Sequence, residues 1–180
     1  MTKKFKISTK ALNLAVFCGL MCAVFLSFAD FNASCDDLRG NVLRLHIIAN
    51  SDSKADQELK LKIRDSILAE SGELFEGITD IEKATLKAEE SLEKYSQIAN
   101  AVIKENGFNY NANAIVGDIF FETREYDDFT LPAGVYKSLI INLGEAKGKN
   151  WWCVIFPEVC LPAASAKLTD TVKPQNAEVA

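Results

Sequence analysis

The sequence predicts an α+β domain: an antiparallel sheet of about four strands with two helices packed on one face, in the order β-α-α-β-β-β, preceded by an N-terminal signal or anchor segment. Three observations predict it. A lysine-rich start runs into an unbroken apolar stretch, apolar residues recur at helical spacing through residues 54–106, and from Tyr110 onward the apolar period switches to two. A strand followed by helices and then by a run of strands is the pattern of helices segregated to one side of a sheet.

The first ten residues hold Lys3, Lys4, Lys6 and Lys10 with no acid, and residues 14–26 are apolar without interruption. That is the charged and hydrophobic layout of a secretory signal, and lysines before the run set the N-terminus inward. Ser27-Phe28-Ala29 offers small residues at the positions a signal peptidase reads. Residues 1–29 are therefore a signal peptide cleaved after Ala29 or, since residues 11–29 approach the length of a span, an uncleaved anchor that contacts the membrane. Residues 30–41 read as a linker.

Residues 42–49, VLRLHIIA, alternate and then become wholly apolar, as in a strand entering a covered sheet. Alternation puts His46 on one face with Arg44 and Ile48, opposite Leu43, Leu45 and Ile47. Asn50-Ser51-Asp52-Ser53 breaks the strand, and Ser53 or Asp52 can cap the helix over residues 54–71. Its apolar residues form two stripes, Leu59, Ile63 and Ile67, and Leu61 and Leu68, so it should be covered from two directions. A second helix starts at a capping box of Thr79 and Glu82 and runs to Gly107. Residues 114–126, 135–143 and 150–156 read as strands. Residues 162–180 are polar, alanine-rich and without period, which predicts a disordered tail. The exported domain thus spans residues 42–161.

Charge excludes some partners. Residues 1–29 carry four of the 20 Lys and Arg and none of the 25 Asp and Glu, leaving 16 basic against 25 acidic residues beyond them, a net charge of −9. Such a surface argues against nucleic acid.

Catalytic material is sparse. His46 is the one histidine, HExxH and CxxC are absent, and no zinc site of the usual ligand set can be built locally. The glycines and lysines of residues 144–149 fall one residue short of a P-loop, and Asn150 stands where Ser or Thr would hold magnesium. No cofactor and no catalytic group is expected. A dyad of Cys153 and His46 is the one nucleophilic arrangement the residues allow, and it defines the alternative reading, a secreted hydrolase. Cys153 and Cys160 are also the candidate disulfide outside the cell, provided the chain reverses between them, which Pro157 would help.

Trp151 and Trp152 are adjacent in a strand, so they point to opposite faces. One can fill the core while its neighbour finds another surface, either a covering loop around residues 129–134 or a partner. Asn150, Trp151, Trp152, Leu131, Pro132 and Gly134 are the candidate partner-binding residues.

Two runs are distinctive: LRLHIIANSDSKADQELKLKIRD at residues 43–65 and LPAGVYKSLIINLGEAKGKNWWCVIFPEVC at residues 131–160, with FFETREYDDF between them. Read together they resemble the stage II sporulation protein R family of endospore-forming bacteria. Glu122 and Glu158 stand where that family commonly has proline. The resemblance implies a signalling protein of sporulation and not an enzyme. It implies export from the forespore into the space between the forespore and mother-cell membranes. The partner it implies is the extracytoplasmic part of the membrane-embedded mother-cell protease that processes pro-sigma-E.

Overall fold

The strand β1 (Leu43–Ile48) is buried along almost its whole length, and a strand covered on both faces belongs inside a sheet. The computed structural model, which describes residues 9–125 and 130–157, places it there. Beside it run β2 (Ala112–Phe121), β5 (Gly134–Leu143) and β6 (Asn150–Phe156), in the spatial order β2-β5-β1-β6. The sheet is mixed and not antiparallel throughout as expected, because β1 and β5 run parallel while β2–β5 and β1–β6 are antiparallel. A separate short ladder pairs β3 (Arg124–Glu125) with β4 (Thr130–Leu131), so the strand expected over residues 114–126 ends at Phe121.

The topology has one consequence for the connection over residues 144–149. Its length suits a hairpin, yet β6 lies beside β1, so this loop has to cross the end of β1 where the chain leaves through residues 50–53. Backbone and side chain both join the crossing. Gly148 N donates to Ala49 O at 2.9 Å, Glu145 N to Asn50 Oδ1 at 2.9 Å and Lys149 N to Asp52 Oδ1 at 2.6 Å. The two chains approach so closely that a Cβ on Gly148 would collide with the backbone of Ser51.

Helices α2 (Lys54–Leu74), α3 (Ile81–Glu90) and α4 (Leu92–Glu105) contribute to one core with the sheet. Of the two expected caps, Ser53 and Asp52, Ser53 caps α2, its Oγ accepting from Asp56 N at 3.1 Å. Leu59, Ile63 and Ile67 are buried, whereas Leu61 of the second stripe is exposed. The long second helix is in fact two, parted at Ser91, and its cap is Asp80, whose carboxylate accepts from Glu82 N and Lys83 N. Ser71 and Tyr95 share a buried hydrogen bond of 3.1 Å between α2 and α4. Burial is the main reason the Tyr95 hydroxyl is pushed up to about 12.

The chain divides between Leu38 and Arg39 into two units. The helix α1 (Thr9–Gly40) begins in the first, and residues 12–40 are long and apolar enough to cross a membrane, with a mean hydropathy of 2.2. Its large apolar side chains from Leu12 to Phe28 are exposed, which suits lipid or a translocon and not a water-facing surface. The segment expected to be a linker, residues 30–41, is helical to Gly40: nothing between Asp30 and Arg39 breaks a helix. The tail at residues 162–180 lies outside the described residues.

Candidate functional site

The face of the sheet turned away from α2, α3 and α4 carries a second, smaller cluster. β1 supplies Arg44 and His46 to it, β2 supplies Phe121, β5 Tyr136, β6 Trp152 and Val154, and β4 Leu131. Arg44 is fully buried, with its guanidinium carbon 3.9 Å from the ring centroid of Phe121, 5.0 Å from that of Tyr136 and 5.5 Å from that of Trp152. Phe121 is the hub, since it also meets His46, Tyr136 and Trp152, each at 5.9 Å between centroids. From outside, Arg124 stacks on Trp152 at 3.7 Å. Cations over aromatic faces are favourable, and more so when little water separates them.

His46 is only 8% exposed and sits opposite Trp152 in the β1–β6 register. Among the described residues, neither of its ring nitrogens has a hydrogen-bond partner. Burial, and then the charge of Arg44, bring its pKa down from 6.5 to about 4, so it is neutral near pH 7.

The loop leading into β5 is braced on three sides. Tyr136 Oη donates to Pro132 O at 2.5 Å, Ala133 N to Thr123 Oγ1 at 3.1 Å, and Arg39 Nη1 to Ala133 O at 3.0 Å. The Arg39 side chain also occupies the space where a Cβ on Gly134 would go.

The six residues expected to form one contact surface are therefore divided. Trp152 is half-buried in this cluster, and its Nε1 donates to Asn150 Oδ1 at 3.2 Å. Pro132 and Gly134 are half-buried, but Leu131 is 2% exposed and works as core. Trp151 points to the other face, against the main core, with the Arg64 guanidinium 4.4 Å above its ring. Lys60, buried in α2, holds the start of β6 by donating to Lys149 O at 2.9 Å and Asn150 O at 3.3 Å. Burial lowers its pKa to about 8, against the opposing pull of Asp52.

The Cys153–His46 dyad is overturned by the register. Cys153 pairs with Leu45 and packs on the helix-side core, so the sheet itself separates it from His46. Cys160, the other half of the candidate disulfide, lies outside the described residues. Arg44, Phe121 and Arg124 belong to the cluster although sequence patterning does not place them together. The one available signal is the arginine that shares a largely apolar strand with His46.

A second polar assembly sits at the loop crossing. Asp56 Oδ2 accepts from Asn50 Nδ2 at 3.0 Å and from Ser51 Oγ, and Asp56 Oδ1 accepts from Tyr110 Oη at 2.6 Å. Burial opposes ionisation of Asp56, but bonds from Ser51, Tyr110, Asn50 and Ser53 outweigh it and hold the carboxyl below its usual value. The polar groups of the 50–53 turn are thus engaged within the fold.

The family model described as Stage II sporulation protein R matches residues 39–166. A protein of Bacillus subtilis (strain 168) named Stage II sporulation protein R is 39% identical over 118 residues, covering 66% of this chain and 53% of that protein. The chain thus spans about half the length of that relative. No solved structure matches.

Proposed function

Because the chain belongs to the stage II sporulation protein R family and so has a role in sporulation, we propose that it is an exported signal that activates the membrane protease of the mother cell that processes pro-sigma-E. The family match carries the reading. The N-terminal helix supports it, since α1 is suited to export or to anchoring, and either brings the domain to the outer side of the membrane. In this reading the domain couples forespore to mother-cell gene expression from the space between their membranes, and it acts by binding.

The contact surface is the exposed part of Trp152 with Asn150, to which its Nε1 donates, and Pro132, the chain neighbour of Leu131 in the same cluster. A rigid aromatic ring packed against Phe121 and with Arg124 stacked on its face loses little entropy on binding, and such rings dominate interface energies. Trp152→Ala is expected to weaken receptor binding by about 2 kcal/mol, or roughly 30-fold. In sporulating cells carrying the variant as their only copy, processing of pro-sigma-E should fall sharply while the protein remains folded. Full processing by a folded Trp152→Ala protein would remove Trp152 from the contact. Trp151→Ala is the contrasting case, since Trp151 serves the helix-side core and its loss should lower stability first.

A further inference from the structure

β2 forms one edge of the sheet, on the opposite side from β6, and α4 covers only its first part. Asn100 Nδ2 donates to Ala112 O at 3.1 Å, Ala112 N donates to Asn100 Oδ1 at 2.7 Å, and Ala114 N donates to Ser96 Oγ at 3.0 Å. These bonds show that residues 112 and 114 turn their backbone groups away from β5. The β2–β5 register runs without a shift from Ala112 to Phe121, so Val116, Asp118 and Phe120 turn theirs the same way. Among the described residues, nothing bonds to those outward groups. The side chains beside them are apolar on both faces of the strand: Phe120 is 60% exposed, its cross-strand neighbour Val135 56%, and Ile115 on the other face 43%. In the middle stands Asp118, paired with Lys137 at 2.9 Å and largely exposed.

We infer that the free edge at Val116, Asp118 and Phe120 is a strand-acceptor site that takes an extended segment of a partner protein, apolar at alternate positions with a lysine or arginine opposite Asp118. Main-chain bonding along an exposed edge supplies affinity, and alternate side chains supply the choice of partner. The central carboxylate argues against a second copy as the occupant. The two-fold pairing that would use all three free positions sets residue 116 against residue 120 and Asp118 against Asp118, and like charges directly opposite repel. A charge on an edge strand is a device against self-pairing, and here it doubles as a selector for a cation. The site is separate from the Trp152 surface, and neither depends on the other.

The test uses the full chain in detergent micelles with two labelled peptides, Thr-Val-Thr-Lys-Thr-Val-Thr and the same sequence with Glu at its centre. Both are palindromic in pattern and fit the edge in either direction. The lysine peptide should bind at least 10-fold more tightly than the glutamate peptide by fluorescence anisotropy. Asp118→Lys should reverse that preference. Asp118→Pro removes an outward N–H at an edge position, which sheets tolerate, and should weaken the lysine peptide at least 10-fold with little change in melting temperature. Should Asp118→Pro fail to fold, the reversal by Asp118→Lys decides alone. Absence of binding, equal binding of both peptides, or dimers of the full chain that Asp118→Pro disperses would each overturn the inference.

Discussion

Asp56→Ala is expected to destabilise the domain by about 4 kcal/mol, lowering its melting temperature by roughly 10–15 °C. The size follows from what the carboxylate receives. Asn50, Ser51 and Tyr110 all donate to it in a part of the structure where Asp56 is 4% exposed, and hydrogen bonds to a charged group contribute about 1.5–3 kcal/mol each without adding fully. Removing it leaves three donors without their acceptor. It also releases Asn50, whose carbonyl oxygen holds Glu145 N in the loop that crosses β1. The damage therefore spreads from one turn to the placement of β6. Asp56→Asn should cost nearly as much, because an amide presents an N–H to at least one group that is itself a donor. Glu58→Ala, two residues along the same helix and exposed, should change stability by less than about 0.5 kcal/mol. Urea unfolding of the three variants beside the unsubstituted protein measures this. A cost below about 1 kcal/mol for Asp56→Ala would mean that the crossing is held by its backbone bonds alone.

Much of the fold was legible because local rules governed it. The Ser53 cap, the apolar stripe of Leu59, Ile63 and Ile67, and the strand at residues 150–156 each follow from spacing and capping chemistry, and the structure contains all of them. What escaped was long-range. Residues 144–149 have the length and glycines of a hairpin turn, yet β1 lies between β5 and β6. The better clue was in β1 itself, where residues 42–49 are apolar enough to be covered on both faces; a strand of that kind demands a partner on each side, and β5 and β6 supply them. The break at Ser91 also escaped, since the apolar spacing continues through it from Ala88 to Leu92 and Tyr95. In the candidate site, the opposed directions of Trp151 and Trp152 followed from alternation alone. The burial of Arg44 did not, because it depends on Phe121 and Tyr136, which arrive from more than 70 residues further along the chain.

The same cluster makes the protein sensitive to acid through His46. Among the described residues its imidazole has no partner for either nitrogen; it lies against Phe121, sits opposite Trp152 in the register, and shares its face with the permanent charge of Arg44. A proton is therefore taken up less readily in the folded state, at about pH 4, than in the unfolded chain, at 6.5. Between those values the unfolded state binds more protons, so stability rises with pH across the window and is lost as pH falls from 6.5 toward 4. The difference amounts to about 3 kcal/mol, a factor of more than 100 in the folding equilibrium. The contribution of Asp56 lies lower: its carboxyl is held below 3.8, so its stabilisation is complete above that value and fades only beneath it. The two effects thus separate by pH. His46→Leu removes two buried nitrogens with no partner among the described residues and keeps the volume, so at pH 7 it should equal or slightly exceed the unsubstituted protein in stability. At pH 4 it should be the more stable by about 3 kcal/mol or more. Urea unfolding of both proteins at pH 7, 5.5 and 4 traces the divergence. Parallel losses in the two would place the acid sensitivity on carboxylates and clear His46 of it.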